Sequence, residues 1–232
     1  MTLRDEPGDR LRRLIDSNGI EPHLWIDDRP TTWKQRIVAR GQLRPDRCDR
    51  EVTTSISDNA AQFLSAVPLG DMLLVSDYGK GVCTSSLLQA LGDRARLAGV
   101  PILVDPARSR DWSDYGQVTL IKANWSEATE VAGNHDGHPL AMARRLADAC
   151  NCHVVVTLGG HGLVAAEQDG GIWYLPAEPT EVWDVCGAGD TILAALSTAM
   201  LDGNCVRRAC RLATTAGGRQ VEGLGIAAIN PP

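Results

Sequence analysis

Asp190 closes the run Asp184-Val185-Cys186-Gly187-Ala188-Gly189-Asp190, and Thr191-Ile192-Leu193-Ala194-Ala195-Leu196 follows at once. Small residues at 187–189 leave the backbone bare, and the apolar run behind them predicts a buried helix that opens on this loop. The N–H groups at such a helix start have no carbonyl partners, and the helix dipole favours negative charge there, so the loop suits a phosphate. A carboxylate in the first turn is placed to take a proton from a hydroxyl beside that phosphate. The competing reading is an Asp that caps the helix and does nothing more.

Four other groups of residues have the right types for the same chemistry. Asn124 and Glu127 stand three apart at a helix start, a spacing that puts them on one face. They could hold Mg²⁺ through its water shell, or simply form a capping box. Thr157, Gly159 and Gly162 could let a nucleotide approach the backbone, or could be a plain strand-to-hairpin turn. Asp77 and Lys80 punctuate the end of an apolar run. Lys34, Arg36 and Arg40 share one face of an alternating segment, which is either a solvated strand face or an anion contact.

Other chemistries find little support. The five histidines (23, 135, 138, 153 and 161) show no metal-ligand spacing. Cys186 sits in the key loop without a neighbouring His and reads as a packing residue. There is no G-x-x-x-x-G-K-[ST] and no G-x-G-x-x-G after a strand.

The elements that must position these residues read as follows. A helix is expected over 3–18, short strands at 24–26 and 31–40, and a helix over 55–67. Strands follow at 72–76, 102–104, 118–121 and 153–157, with helices from 84 or 85 to 98, after 124, and over 140–149. A hairpin pairs 163–167 with 172–175, and helices begin behind Gly189 and at Cys205. Strands alternating with helices imply a mostly parallel sheet covered on both faces. Parallel strands end along one edge, so Asp77/Lys80, Asp105, Asn124/Glu127, Thr157/Gly159 and Asp184–Asp190 are expected to converge on one crevice. That convergence favours a phosphoryl-transfer site over a merely structural Asp190.

Composition sets the outer limits. The 232 residues are 44% hydrophobic and 22% charged, which fits one large globular domain or two small ones. A net charge of −6 without a dense Lys/Arg block argues against a nucleic-acid surface. No apolar run reaches membrane-spanning length, and the charged start does not read as a signal peptide. The seven scattered cysteines read as reduced thiols of a cytoplasmic protein.

Asp184–Asp190, followed by its small-residue helix, is similar to the C-terminal signature of the ribokinase-like (PfkB) carbohydrate kinase family. Ser76-Asp77-Tyr78-Gly79-Lys80-Gly81, Val104-Asp105-Pro106, Lys122-Ala123-Asn124-Trp125-Ser126-Glu127 and Thr157-Leu158-Gly159-Gly160-His161-Gly162 carry the resemblance further. Thr31 to Arg36 and Gly223-Leu224-Gly225 add to it, and it runs from about Asp5 to Asn230. The branch it most resembles phosphorylates D-glycero-β-D-manno-heptose 7-phosphate during ADP-heptose synthesis for lipopolysaccharide.

The resemblance implies a three-layer α/β/α fold around a mostly parallel sheet, with ATP and Mg²⁺ as cofactors. It implies Asp190 as base and Gly187, Ala188 and Gly189 as an anion hole. Nucleotide contacts are implied at Asn124, Thr157, Gly159, Gly162 and Asp184, and metal contacts at Glu127 and Asn124. Lys34 and Arg36 would meet the sugar's own phosphate, and Asp77 and Lys80 the sugar. A sugar phosphate and ATP are the expected partners, with pairing of two copies an option and no nucleic acid or membrane involved.

Family members begin with a strand carrying a sugar-binding Asp, a lid and a Gly-Gly-x-x-x-Asn segment, none of which stands ahead of Met1. The expectation is therefore a single kinase domain over 1–232, shortened at its N-terminus. Ala213-Thr214-Thr215 stands where the nearest relatives commonly carry an Asn near the adenine, and no nucleotidylyltransferase half follows Pro232. The alternatives are another sugar kinase of the family, or a nucleotide-binding homologue without turnover.

Overall fold

The structure, a computed structural model, describes residues 5–37, 46–108, 110–133, 137–178 and 181–223. Arg40, His135 and Leu224-Gly225 lie outside them, and of Arg36 only the backbone is described. The chain groups into two compact units, residues 1–68 with 79–90 and residues 69–78 with 91–232.

The first unit contains α1 (Glu6–Ser17), β1 (Trp33–Ile37), β2 (Asp46–Arg50), α2 (Asp58–Ser65) and the start of α3 (Ser85–Ala98). Asp5 caps α1 by accepting from the Gly8 N–H, and its other oxygen accepts from the Thr31 N–H. Strands β1 and β2 pair antiparallel, with Lys34 opposite Asp49. The expected strand at Leu24–Ile26 does not form; Trp25 instead packs its ring against Phe63 at 5.5 Å between centroids. β2 was not expected, because Asp46-Arg47-Cys48-Asp49-Arg50 has no apolar alternation to announce a strand.

The second unit is a six-stranded sheet in the order β3 (Leu73–Ser76), β4 (Ile102–Asp105), β5 (Leu120–Asn124), β6 (His153–Thr157), β7 (Leu163–Ala166) and β8 (Ile172–Leu175). The first four strands run parallel, and the hairpin β7–β8 adds two antiparallel pairings at one side. The parallel interior is nearly continuous Val, Leu, Ile and Ala, as strands covered on both faces require. Alternate residues Leu103, Leu120, Val155, Leu163 and Ala165 pack on one face against α6 (Ala188–Leu201) and α7 (Val206–Val221), through Leu193, Leu196, Ala209 and Ala213. The opposite face, carrying Val154, Val156, Val164 and Ala166, is covered by α4 (Trp125–Ala132) and α5 (Pro139–Cys150).

The parallel register places Ser76 beside Asp105, and Asn124 beside Thr157. The strand ends therefore share one edge, as the alternation of elements implied.

Candidate active site

Each contributing side chain follows from where its strand stops. β5 continues three residues past the expected end at Ile121, which carries Lys122 into the sheet interior, 4% exposed. A cation there needs a partner. Its Nζ lies 2.5 Å from Oδ2 of Asp105, the last residue of the neighbouring strand β4. Desolvation pushes the Asp105 carboxyl above its usual range, and the Lys122 charge only partly opposes it; Glu127 and Asp190 add to the rise. Asp105, Glu127 and Asp190 thus share this edge with the Lys122 ammonium.

Gly187 is the N-cap of α6 in the left-handed conformation (φ 75°), and no side chain caps the helix. The first intrahelical bond runs from the Thr191 N–H to the Gly187 carbonyl, so the N–H groups of Gly189 and Asp190 find no acceptor within the helix. A Cβ on Gly189 would stand 3.3 Å from Lys122 Nζ, so the bare backbone lets the loop close directly over that ammonium. Asp190, in the first turn, is exposed and does not cap. Instead its Oδ1 accepts from the Tyr78 hydroxyl at 2.9 Å. Asp184 turns the chain into the loop by accepting from the Cys186 N–H, and Gln220 Nε2 of α7 donates to the Cys186 carbonyl. The Trp183 N–H donates to the Val221 carbonyl at the end of the same helix.

Asn124 and Glu127 form a full capping box. The Glu127 N–H donates to Asn124 Oδ1, while the Glu127 oxygens accept from the Asn124 backbone N–H at 2.8 Å and from its Nδ2 at 2.6 Å. The Thr157 hydroxyl faces the Ala123 carbonyl at 3.4 Å. A side chain on Gly159 would meet only open space, whereas a Cβ on Gly162 would fall 2.1 Å from the Leu175 carbonyl. Gly162 is therefore demanded by the chain leaving β8, irrespective of any ligand.

The remaining expected residues sit differently from one another. The Asp77 side chain is only 2% exposed, held by the Tyr115 hydroxyl at 2.9 Å and by Arg110 Nε at 3.1 Å. Its carboxylate is thus buried against Tyr115 and Arg110. In the first unit Lys80 pairs with Glu51 at 2.6 Å, and Lys34 is exposed on β1. Sequence reasoning assigned no role to Tyr78, Lys122, Arg110 or Tyr115. For Lys122 a signal existed: one cation directly behind the apolar run expected to be a buried strand.

Among the described residues no group of three His, Cys, Asp or Glu side chains is arranged to hold a metal ion by itself. Carboxylate and amide oxygens at Glu127 and Asn124 do have the hard-donor chemistry of Mg²⁺, which keeps most of its water and shares its other ligands with phosphates. No helix among the described residues is long and apolar enough to cross a membrane.

Comparison with known proteins adds a family to this geometry. Residues 4–231 match the model of the pfkB family carbohydrate kinases. The chain is 39% identical over 239 residues to the bifunctional protein HldE of Caulobacter vibrioides, covering 96% of this chain and 47% of that protein. It is 34% identical over 239 residues to bifunctional protein HldE of Aeromonas salmonicida, covering 100% and 49%. The chain thus spans about half the length of the curated relatives it matches. Among solved structures, Arabidopsis thaliana ribokinase complexed with ribose and ATP superposes with a TM-score of 0.74 at 18% identity, over 96% of this chain and 74% of that one. Escherichia coli phosphofructokinase-2 with substrates and products gives 0.79 at 17% identity, over 94% and 73%. The fold is ribokinase-like.

Proposed function

The chain belongs to the pfkB family of carbohydrate kinases, and we propose that it transfers the γ-phosphoryl group of ATP to the anomeric hydroxyl of D-glycero-β-D-manno-heptose 7-phosphate. The product would be the 1,7-bisphosphate on the way to ADP-heptose for lipopolysaccharide. The observation that carries the chemistry is Asp190: a hydrogen-bonded, exposed carboxylate in the first turn of a helix whose Gly189 and Asp190 N–H groups find no acceptor within the helix, above a buried ammonium. The heptose substrate rests on the relatives and on the sequence resemblance. We read both compact units as one kinase domain, since the family match runs across them, and place the reaction in the cytoplasm, where ATP is available.

In this reading Asp190 accepts the proton of the sugar hydroxyl as the hydroxyl oxygen attacks phosphorus. The N–H groups of Gly187, Gly189 and Ala188, the last now donating to the Val185 carbonyl at 3.4 Å, take the charge developing on the phosphoryl oxygens, and fixed donors are worth more there than the same bonds in water. Lys122 adds a fixed positive charge behind the loop. Asn124, Thr157, Gly159, Gly162 and Asp184 line the nucleotide side. Glu127, with Asn124, would meet the water shell of Mg²⁺, which when bound neutralises the polyphosphate. Lys34 and Arg36 are the residues proposed to meet the 7-phosphate, and Lys80 lies in the same unit.

The test is Asp190→Asn, which keeps shape and removes the base. ATP binding, followed by calorimetry, is expected to persist within about threefold, while transfer falls by about 10²–10⁴. Transfer at the wild-type rate would sink the base assignment. Running the wild type against a panel of sugar phosphates tests the heptose: the highest kcat/KM on another sugar would replace it.

A further inference from the structure

We infer that Tyr78 is a positioning residue for the reaction proposed above. It donates its hydroxyl proton to one oxygen of Asp190, so that the other oxygen is the one presented to the sugar. The inference rests on Asp190 being the base.

Three observations carry it. The Tyr78 hydroxyl lies 2.9 Å from Asp190 Oδ1, across 112 positions of sequence, so the fold brings the pair together. The Tyr78 residue is 58% exposed, so its aromatic ring is not there to fill a core. Its hydroxyl end nevertheless meets the Asp190 carboxylate. Desolvation there, with the Asp190 charge next to it, holds the phenol above its usual range, and the Ser76 side chain bonds the same hydroxyl. The phenol therefore stays protonated and remains a donor.

The backbone that carries Tyr78 is fixed by its neighbour. The Asp77 N–H donates to the Asp105 carbonyl, extending the β3–β4 pairing one step beyond the strand. The Asp77 carboxylate is clamped by Tyr115 and Arg110, and the Tyr115 oxygen also accepts from the Ala107 N–H. Asp77 thus serves the site at one remove, by aiming Tyr78. A carboxylate at an exposed helix start otherwise rotates freely about its terminal torsion, and a donor on one oxygen selects the orientation in which the other oxygen faces the attacking hydroxyl.

The experiment compares Tyr78→Phe, Asp190→Asn and the double variant, each with ATP and heptose 7-phosphate. Tyr78→Phe is expected to lower kcat about tenfold, the size of one hydrogen bond to a charged group, with both KM values within about twofold and an unchanged melting temperature. In the Asp190→Asn background the same change is expected to cost less than about twofold, because there is no base left to orient. A purely structural tyrosine would cost the same factor in both backgrounds, and that result overturns the inference. Wild-type kcat for Tyr78→Phe, with Asp190→Asn inactive, overturns it while leaving the base in place. Full activity of Asp190→Asn removes the base and the inference together.

Discussion

The Lys122 ammonium and the Asp105 carboxylate meet where little water reaches either, so removing one partner has a pH signature. Burial already lifts the Asp105 carboxyl above its ordinary value, so the folded chain holds that proton more tightly than the unfolded chain does. Stability contributed this way falls as pH rises from the ordinary carboxylate value to the folded one. Lys122→Met removes the charge that restrains the rise, which extends that interval upward. The variant is expected to lose about 3–5 kcal/mol near neutral pH and to regain part of it as the pH is lowered into the carboxylate range. Urea denaturation at two pH values checks this; an equal loss at both would make packing the whole cause. At this scale the start of α6 was legible, because consecutive small residues before an apolar run announce a helix that opens on bare backbone. The partners of Tyr78 and Lys122 were not, since they lie 112 and 17 positions away. The buried pairing of Asp77 was hidden for the same reason: nothing local announces Tyr115 and Arg110 as its partners.

The capping box that Asn124 and Glu127 form and the Mg²⁺ contact proposed for them can be separated by substitution. The capping box holds the first turn of α4, and a cap of this kind contributes about 1 kcal/mol. Glu127→Gln retains an oxygen acceptor for the box and removes the charge. Its melting temperature is expected to stay within about 2 °C of wild type, a loss of a few tenths of a kcal/mol, while the Mg²⁺ concentration for half-maximal rate rises several-fold. An unchanged Mg²⁺ requirement with wild-type stability would leave Glu127 as a cap only. Element type was readable wherever periodicity was strong: β6 and α5 fall within a residue or so of expectation. It failed where pairing, not pattern, makes the strand. β2 forms from charged residues because β1 lies opposite it, and Leu24–Ile26 stays irregular although its residues favour strands.

For the molecule, the core that α6 and α7 build on the sheet is also the support of the site, because α6 opens at Gly187. Leu196→Ala leaves a cavity beneath that helix and is expected to cost about 2–5 kcal/mol in denaturant unfolding, with kcat at low temperature close to wild type. A collapse of kcat without a loss of stability would mean that the helix start is set by something other than its packing. The convergence of strand ends on one edge followed from alternation alone, but the hairpin hides how the last loop arrives there. β6 ends at this edge, β7 runs away from it, and β8 returns, with Thr157, Leu163 and Leu175 aligned by register. Delivery of the loop to the reacting edge is therefore a matter of parity. Two hairpin reversals cancel and one does not, so a homologue that gains or loses hairpin-connected strands between Thr157 and Asp184 can keep Asp190 at this edge only by changing their number by an even count.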